Sequence, residues 1–145
     1  MAWLVEILLV AVGGATGATL RVLLTIAAAT QLRIPFWIGI MVVNIVGCLL
    51  IGLAAAVLAS ADASDTPLIR LIDGVLPSDS AGVADAKLIL LTGLLGGFTT
   101  FSTAMLDTWV LWRSGHVVKS IISLVGTPIA AIAALAIGLS WGGGA

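Results

Sequence analysis

GGFTTFST, Gly96 to Thr103, is polar and threonine-rich, yet it lies inside a stretch from Leu88 to Leu106 that carries no charged side chain and is long enough to span a bilayer. Hydrocarbon offers a backbone N–H or C=O no partner, so a membrane-crossing chain stays helical unless it faces protein or water. A glycine pair followed by β-branched hydroxyl residues at that depth therefore predicts a span that is broken where it faces such a path. The stretch points to a pore.

Working outward, the whole chain has the composition of a membrane protein. Of its 145 residues, 61% are hydrophobic and 9% charged, whereas soluble domains run at roughly 45–50% apolar and about 25% charged. Windows of about 20 apolar residues predict four helical spans, roughly Trp3 to Ala29, Phe36 to Ala59, Leu88 to Trp112 and Ser120 to Trp141. Trp3, Trp37, Trp109, Trp112 and Trp141 all fall near span ends, where an amphipathic ring favours the interface. The N-terminal MAWLVEILLV lacks a basic region and carries Glu6, which predicts a retained first helix and not a cleaved signal. The expected architecture is all-α, a single four-helix transmembrane domain over residues 1–145 with a hydrophilic insert at about 60–87. Within the insert, Leu68 to Leu76 places Leu68, Leu71, Ile72 and Val75 on one helical face, either as a short interfacial helix or as part of an acidic loop.

Charge leaves the orientation open. Arg33, Arg113 and Lys119 flank one side, against Arg70, Lys87 and the terminal amine on the other. Orientation follows Lys and Arg in short flanking loops, and this balance lets the chain insert both ways up and pair with its own inverted copy. The formal net charge of −1 and the lack of a basic tract exclude nucleic acid as a partner.

Few polar side chains lie inside the spans. Arg21 follows the small-residue patch GGATGAT, Gly13 to Thr19. It either snorkels to an interface or is buried and must find a partner, acting as a structural anchor. Asn44 is the one amide at mid-span, either interhelical glue or a pore donor, and Gly47 on its face predicts a close neighbour there. Asp107 closes the third span, as a hydrated end charge or a vestibule group. Ser123, Thr127 and Ser140 are the hydroxyls of the fourth span, where Pro128 disturbs the helix and frees a carbonyl near Leu124. Cys48 reads as a small buried apolar residue. The pairs Gly13/Gly17 and Gly93/Gly97 suit close helix packing.

The sequence carries no Ser/His/Asp or Cys/His set, no paired mid-membrane carboxylates and no phosphate loop, so it does not read as an enzyme. Hydroxyls, an amide and aromatic edges remain, which solvate an anion through O–H, N–H and the positive ring edge.

In these residues the chain resembles the small fluoride channels of the Fluc or CrcB family over nearly its whole length outside the insert. GGFTTFST is the most specific motif. GGATGATLR resembles the family's first-helix glycine-rich stretch ending in arginine, VNIVG at 43–47 its second-helix V-N-x-x-G, and LVGT at 124–127 its fourth-helix L-x-G-S. The resemblance implies a dual-topology antiparallel dimer in a prokaryotic plasma membrane, surrounded by membrane lipid, that exports fluoride passively through two pores around a central structural sodium ion. It implies that the backbone carbonyls of Gly96 and Thr99 hold the sodium. It also implies that Phe101 turns a ring edge to fluoride, that Asn44 donates to it, and that Thr100, Ser102 and Thr103 line the path, with Asp107 near the mouth.

Two positions depart from that pattern. Where the family reads TTFSTF this chain reads TTFSTA, with Ala104 in place of a second phenylalanine, and Ile40 stands where a threonine is frequent. The first departure keeps a heterodimer with a related chain, or a non-conducting subunit, beside the homodimer. A proton-coupled exporter of small cations is a rival of another class. It requires a mid-membrane carboxylate, whereas Glu6 and Asp107 lie toward span ends.

Overall fold

A computed structural model describes residues 2–59 and 87–142. The expected interfacial helix at 68–76 lies outside the described residues. Among those described, every regular element is helical. Helix α1 runs Ala2–Gln31 and α2 Phe36–Val57. A π-helical segment, Lys87–Leu95, leads into α3 (Gly96–Phe98) and α4 (Phe101–Arg113). Helix α5 (Val117–Ile121), a second π-helical segment at Ile122–Gly126 and α6 (Thr127–Gly142) complete the order.

These elements make four candidate membrane spans, Trp3–Gln31, Phe36–Val57, Lys87–Arg113 and Val117–Gly142, each long and apolar enough to cross a bilayer. The chain is a multi-pass membrane protein. Its helices are apolar all round, the pattern of elements that meet lipid and not water. Leu8, Val12, Ile129 and Ile132 are all exposed on the single chain, as are the rings of Trp3, Trp109, Trp112 and Trp141.

Sharp local chemistry makes the connections. Arg33 takes φ 53° in the turn before α2, and the Ile34 amide donates to the Ala28 carbonyl at 3.1 Å. At the end of α4, Gly115 adopts φ 78°. Its amide reaches the Trp112 carbonyl while the His116 amide reaches Leu111, so the pair closes the helix as a Schellman motif.

The four spans associate as two tight pairs, α1 with the first half of the third span and α2 with α6. Glycine explains both seams, because without a hydrophobic drive in lipid, helices gain from close backbone approach. A Cβ on Gly17 would meet the Leu94 carbonyl oxygen and lie 2.8 Å from the Phe98 nitrogen, and one on Gly97 would meet the Gly14 carbonyl. In the second seam, a Cβ on Gly52 would meet the Leu135 carbonyl and one on Gly138 the Leu49 carbonyl. A buried polar seam adds to the packing between the third and fourth spans. The Thr108 hydroxyl lies 3.1 Å from Ser123 Oγ, and Ser120 Oγ donates to the Thr108 carbonyl at 2.9 Å.

Candidate functional site

Thr99 and Thr100 are not helical. Their backbones are extended, at φ −79°, ψ 154° and φ −150°, ψ 124°, between α3 and α4. The Thr99 amide still donates to the Leu95 carbonyl at 3.0 Å, but beyond it the helical ladder is interrupted, so the Thr99 carbonyl and the Thr100 amide need other partners.

Asn44 supplies them for Thr100. Its side-chain NH2 donates to the Thr100 carbonyl at 2.9 Å, and its Oδ1 accepts from the Thr100 amide at 2.7 Å. The amide thus mimics a neighbouring strand, and at 7% exposure it is spared competition from solvent. Gly47, one turn on, makes room: a Cβ there would lie 2.5 Å from Thr99 Cγ2 and 3.1 Å from the Phe98 ring. The close neighbour expected on this face is the Phe98–Thr99 step itself.

Thr100 also begins α4. Its hydroxyl accepts from the Thr103 amide at 3.3 Å, the capping bond that threonine offers a helix start. It donates to Thr103 Oγ1 at 3.1 Å and lies 3.4 Å from Ser102 Oγ. Arg21 joins this cluster, donating from Nη1 to Thr103 Oγ1 at 3.3 Å. Thr103 Oγ1 therefore accepts twice, and its own proton is uncommitted among the described residues.

The other backbone oxygens at the step are lightly used. The Gly96 carbonyl meets the Thr99 hydroxyl at 3.5 Å, which is long for such a bond. The stronger contact of that hydroxyl is with Leu95, at 3.1 Å. Among the described residues no hydrogen bond reaches the Thr99 carbonyl.

A cavity of about 380 Å3 opens beside this step. Asn44, Gly96, Thr99, Thr100 and Phe101 line it, so five of the residues singled out in the sequence share one wall. Ser102 and Thr103 connect to it through the Thr100 hydroxyl, and Arg21 through Thr103. Asp107 stands one helical turn beyond Thr103, with Oδ2 buried and unpartnered. The Nε of Arg21 is likewise buried without a partner, so the anchoring bond to Thr103 uses only part of the guanidinium. Phe101 is 73% exposed on the single chain, which is high for a ring placed mid-span.

Two further residues named in the sequence also line the cavity. Ala104, 4% exposed, and Thr127 both face the cavity. Thr127 Oγ1 is buried without a partner, whereas the hydroxyls of Thr16, Thr19, Thr25 and Thr30 each bond the carbonyl four residues back. The π-helical turn at Ile122–Gly126 immediately precedes Thr127 and Pro128, where the sequence predicts a disturbed helix. Cys48 corrects an expectation. It is half-buried and lies in the cavity wall with Met105, not in a packed core. The signal was its position, one turn after Asn44 on the same helix face.

Comparison with known proteins shows the family. Residues 8–139 match the model of the CrcB-like protein family, also described as camphor resistance (CrcB). The chain is 37% identical over 135 residues to a fluoride-specific ion channel FluC of Paracoccus denitrificans, covering 93% of this chain and 92% of that protein. Identity is 37% over 132 residues to the protein of the same name in Hyphomonas neptunium, covering 91% of each. A namesake in Chloroflexus aurantiacus is 33% identical over 137 residues, 94% of each chain. From its four helical spans, its motifs and this match over nearly its full length, the chain belongs to the CrcB-like protein family.

Proposed function

We propose that the chain is a fluoride channel that lets the ion leave the cytoplasm passively across a prokaryotic plasma membrane. The observation that carries this reading is the Asn44–Thr100 clamp, which holds the third span open beside a hydroxyl-lined cavity. Full-length relatives named fluoride-specific ion channels give the ion. A small, strongly hydrated anion crosses a membrane only where fixed donors replace its water. The uncommitted Thr103 proton, the Ser102 hydroxyl, the Asn44 NH2 and the positive edge of the Phe101 ring are such donors. Arg21 holds Thr103 in place, and Asp107 stands at the mouth.

The working unit in this reading is an antiparallel dimer of inverted copies, with the break in the third span at its centre. Balanced flanking charge supports it, as does the unusual exposure of Phe101, a ring that a second copy would cover. Sodium fits the lightly used carbonyls. The Gly96 and Thr99 oxygens are hard, neutral ligands released by the extended step, and such ligands suit a hard cation. Bound there, sodium would satisfy the two carbonyl oxygens and fix the break.

Fluoride efflux from liposomes holding only this chain tests the proposal, and absence of flux in well-folded protein would defeat the self-sufficient form. Flux that arises only when a related chain is added favours the second reading, a heterodimer, which Ala104 motivates because no ring fills its side of the cavity. In the same assay, Phe101→Ile is expected to slow efflux at least about tenfold, since the ring-edge interaction is lost while bulk is kept. Unchanged flux would remove Phe101 from the path.

A further inference from the structure

The cavity wall carries two sulfur atoms from two different spans. Cys48 comes from α2, one turn beyond Asn44, and Met105 from α4, next to Ala104. Cys48 is the one cysteine of the chain, so it has no intramolecular disulfide partner. Ala104, next to Met105 in α4, also lines the cavity and carries only a methyl. On the facing span, Thr127 lines the same cavity at 5% exposure with its hydroxyl unpartnered. A thiol and a thioether lining one space form a soft donor pair, and thiolate with thioether selects monovalent cations such as Cu(I) and Ag(I) over hard ions.

We infer that Cys48 and Met105 form a binding site for a soft monovalent cation inside the cavity, and that occupancy of this site blocks ion passage. Binding replaces the thiol proton: the metal–sulfur bond forms, the S–H bond breaks and the proton passes to water. Met105 completes coordination without a charge change. The bound ion then stands against Asn44 and Thr100, the residues that hold the third span open. Blockade rests on the conducting role proposed above; metal binding does not.

Silver nitrate in chloride-free liposomes tests both parts, each variant being compared with its own untreated flux. Silver is expected to stop efflux of the unmodified chain, with recovery when excess small thiol is added. Cys48→Ser is expected to need at least about tenfold more silver for the same inhibition, and Met105→Leu about threefold more, as a soft ligand is removed in each. Capping the thiol of the unmodified protein with methyl methanethiosulfonate should abolish silver binding without any substitution. Native mass spectrometry should count one silver per chain, absent in Cys48→Ser.

Equal silver sensitivity of Cys48→Ser and the unmodified chain would overturn the site. Equal sensitivity of Met105→Leu would overturn the sulfur pair. Stoichiometric binding with undiminished flux would overturn the blockade. A chain that passes no fluoride before silver is added defeats the functional reading instead, and the mass count still decides the metal site.

Discussion

Asn44→Ala is expected to cut fluoride efflux by about two orders of magnitude or more, the largest loss of any single side chain here. The substitution removes the Asn44 bonds to both the Thr100 amide and the Thr100 carbonyl. The carbonyl keeps its place at the start of the α4 ladder, but the buried amide left unpaired costs about 1–3 kcal/mol, enough for the third span to rearrange around Thr99 and Thr100. In the proposed channel a donor to the ion disappears with it. Asn44→Asp separates the two effects. A carboxylate still accepts from the Thr100 amide but turns an oxygen toward the Thr100 carbonyl and sets a negative charge in an anion's path. Both variants should therefore fail to conduct, while Asn44→Asp keeps more of the folded protein. The measurements are efflux rate and the monodisperse fraction on size exclusion. An Asn44→Ala protein that conducts within about twofold of the unmodified chain would show that the clamp is dispensable.

Gly17→Ala is expected to weaken helix assembly severely. The added methyl meets the Leu94 carbonyl oxygen and lies 2.8 Å from the Phe98 nitrogen, and backbone atoms cannot rotate aside as a flexible side chain does. Overpacking in a tight interior costs about 1–3 kcal/mol where neighbours can adjust. Here the alternative is to part α1 from the third span along the seam, which also displaces α3 and the Thr99–Thr100 step. Gly14→Ala is the matched control, since its nearest new contact is the Gly93 carbonyl oxygen at 3.9 Å, an ordinary van der Waals distance. The first variant should lose its monodisperse peak on mild heating in detergent, and the second should behave like the unmodified chain. Equal behaviour of the two would mean that the seam is softer than its geometry implies.

The extent of the spans was legible because it follows from one property, apolar length. Predicted and observed ends differ by a few residues: the fourth span begins at Val117 and not at Ser120, since the Gly115 turn lets the helix restart as soon as the chain has reversed. Paired glycines were legible as packing surfaces, but not what they pack against. Gly17 could have faced any neighbour, and only the fold sets it on Leu94 and Phe98. The same limit held for Asn44. An amide in hydrocarbon must have a partner, yet nothing local names Thr100, which lies 56 positions away. The π-helical run KLILLTGLL left no mark, because its composition suits an α-helix equally well. Cys48 was misjudged for a related reason: burial of a small residue depends on what stands opposite, and here that is open space.

The separation of Asn44 from Thr100 bears on how the molecule is made. The second span enters the bilayer before the third has been synthesised, and until then its amide has no Thr100 to hold. The two extended threonines are equally unsupported until α2 is beside them. Neither half of the clamp is comfortable in lipid alone, so the step that joins the two spans is also one that builds the ion path. A chain whose third span is inserted but unpaired would present a defect that quality-control proteases could sense, and only the finished molecule would be both stable and conducting.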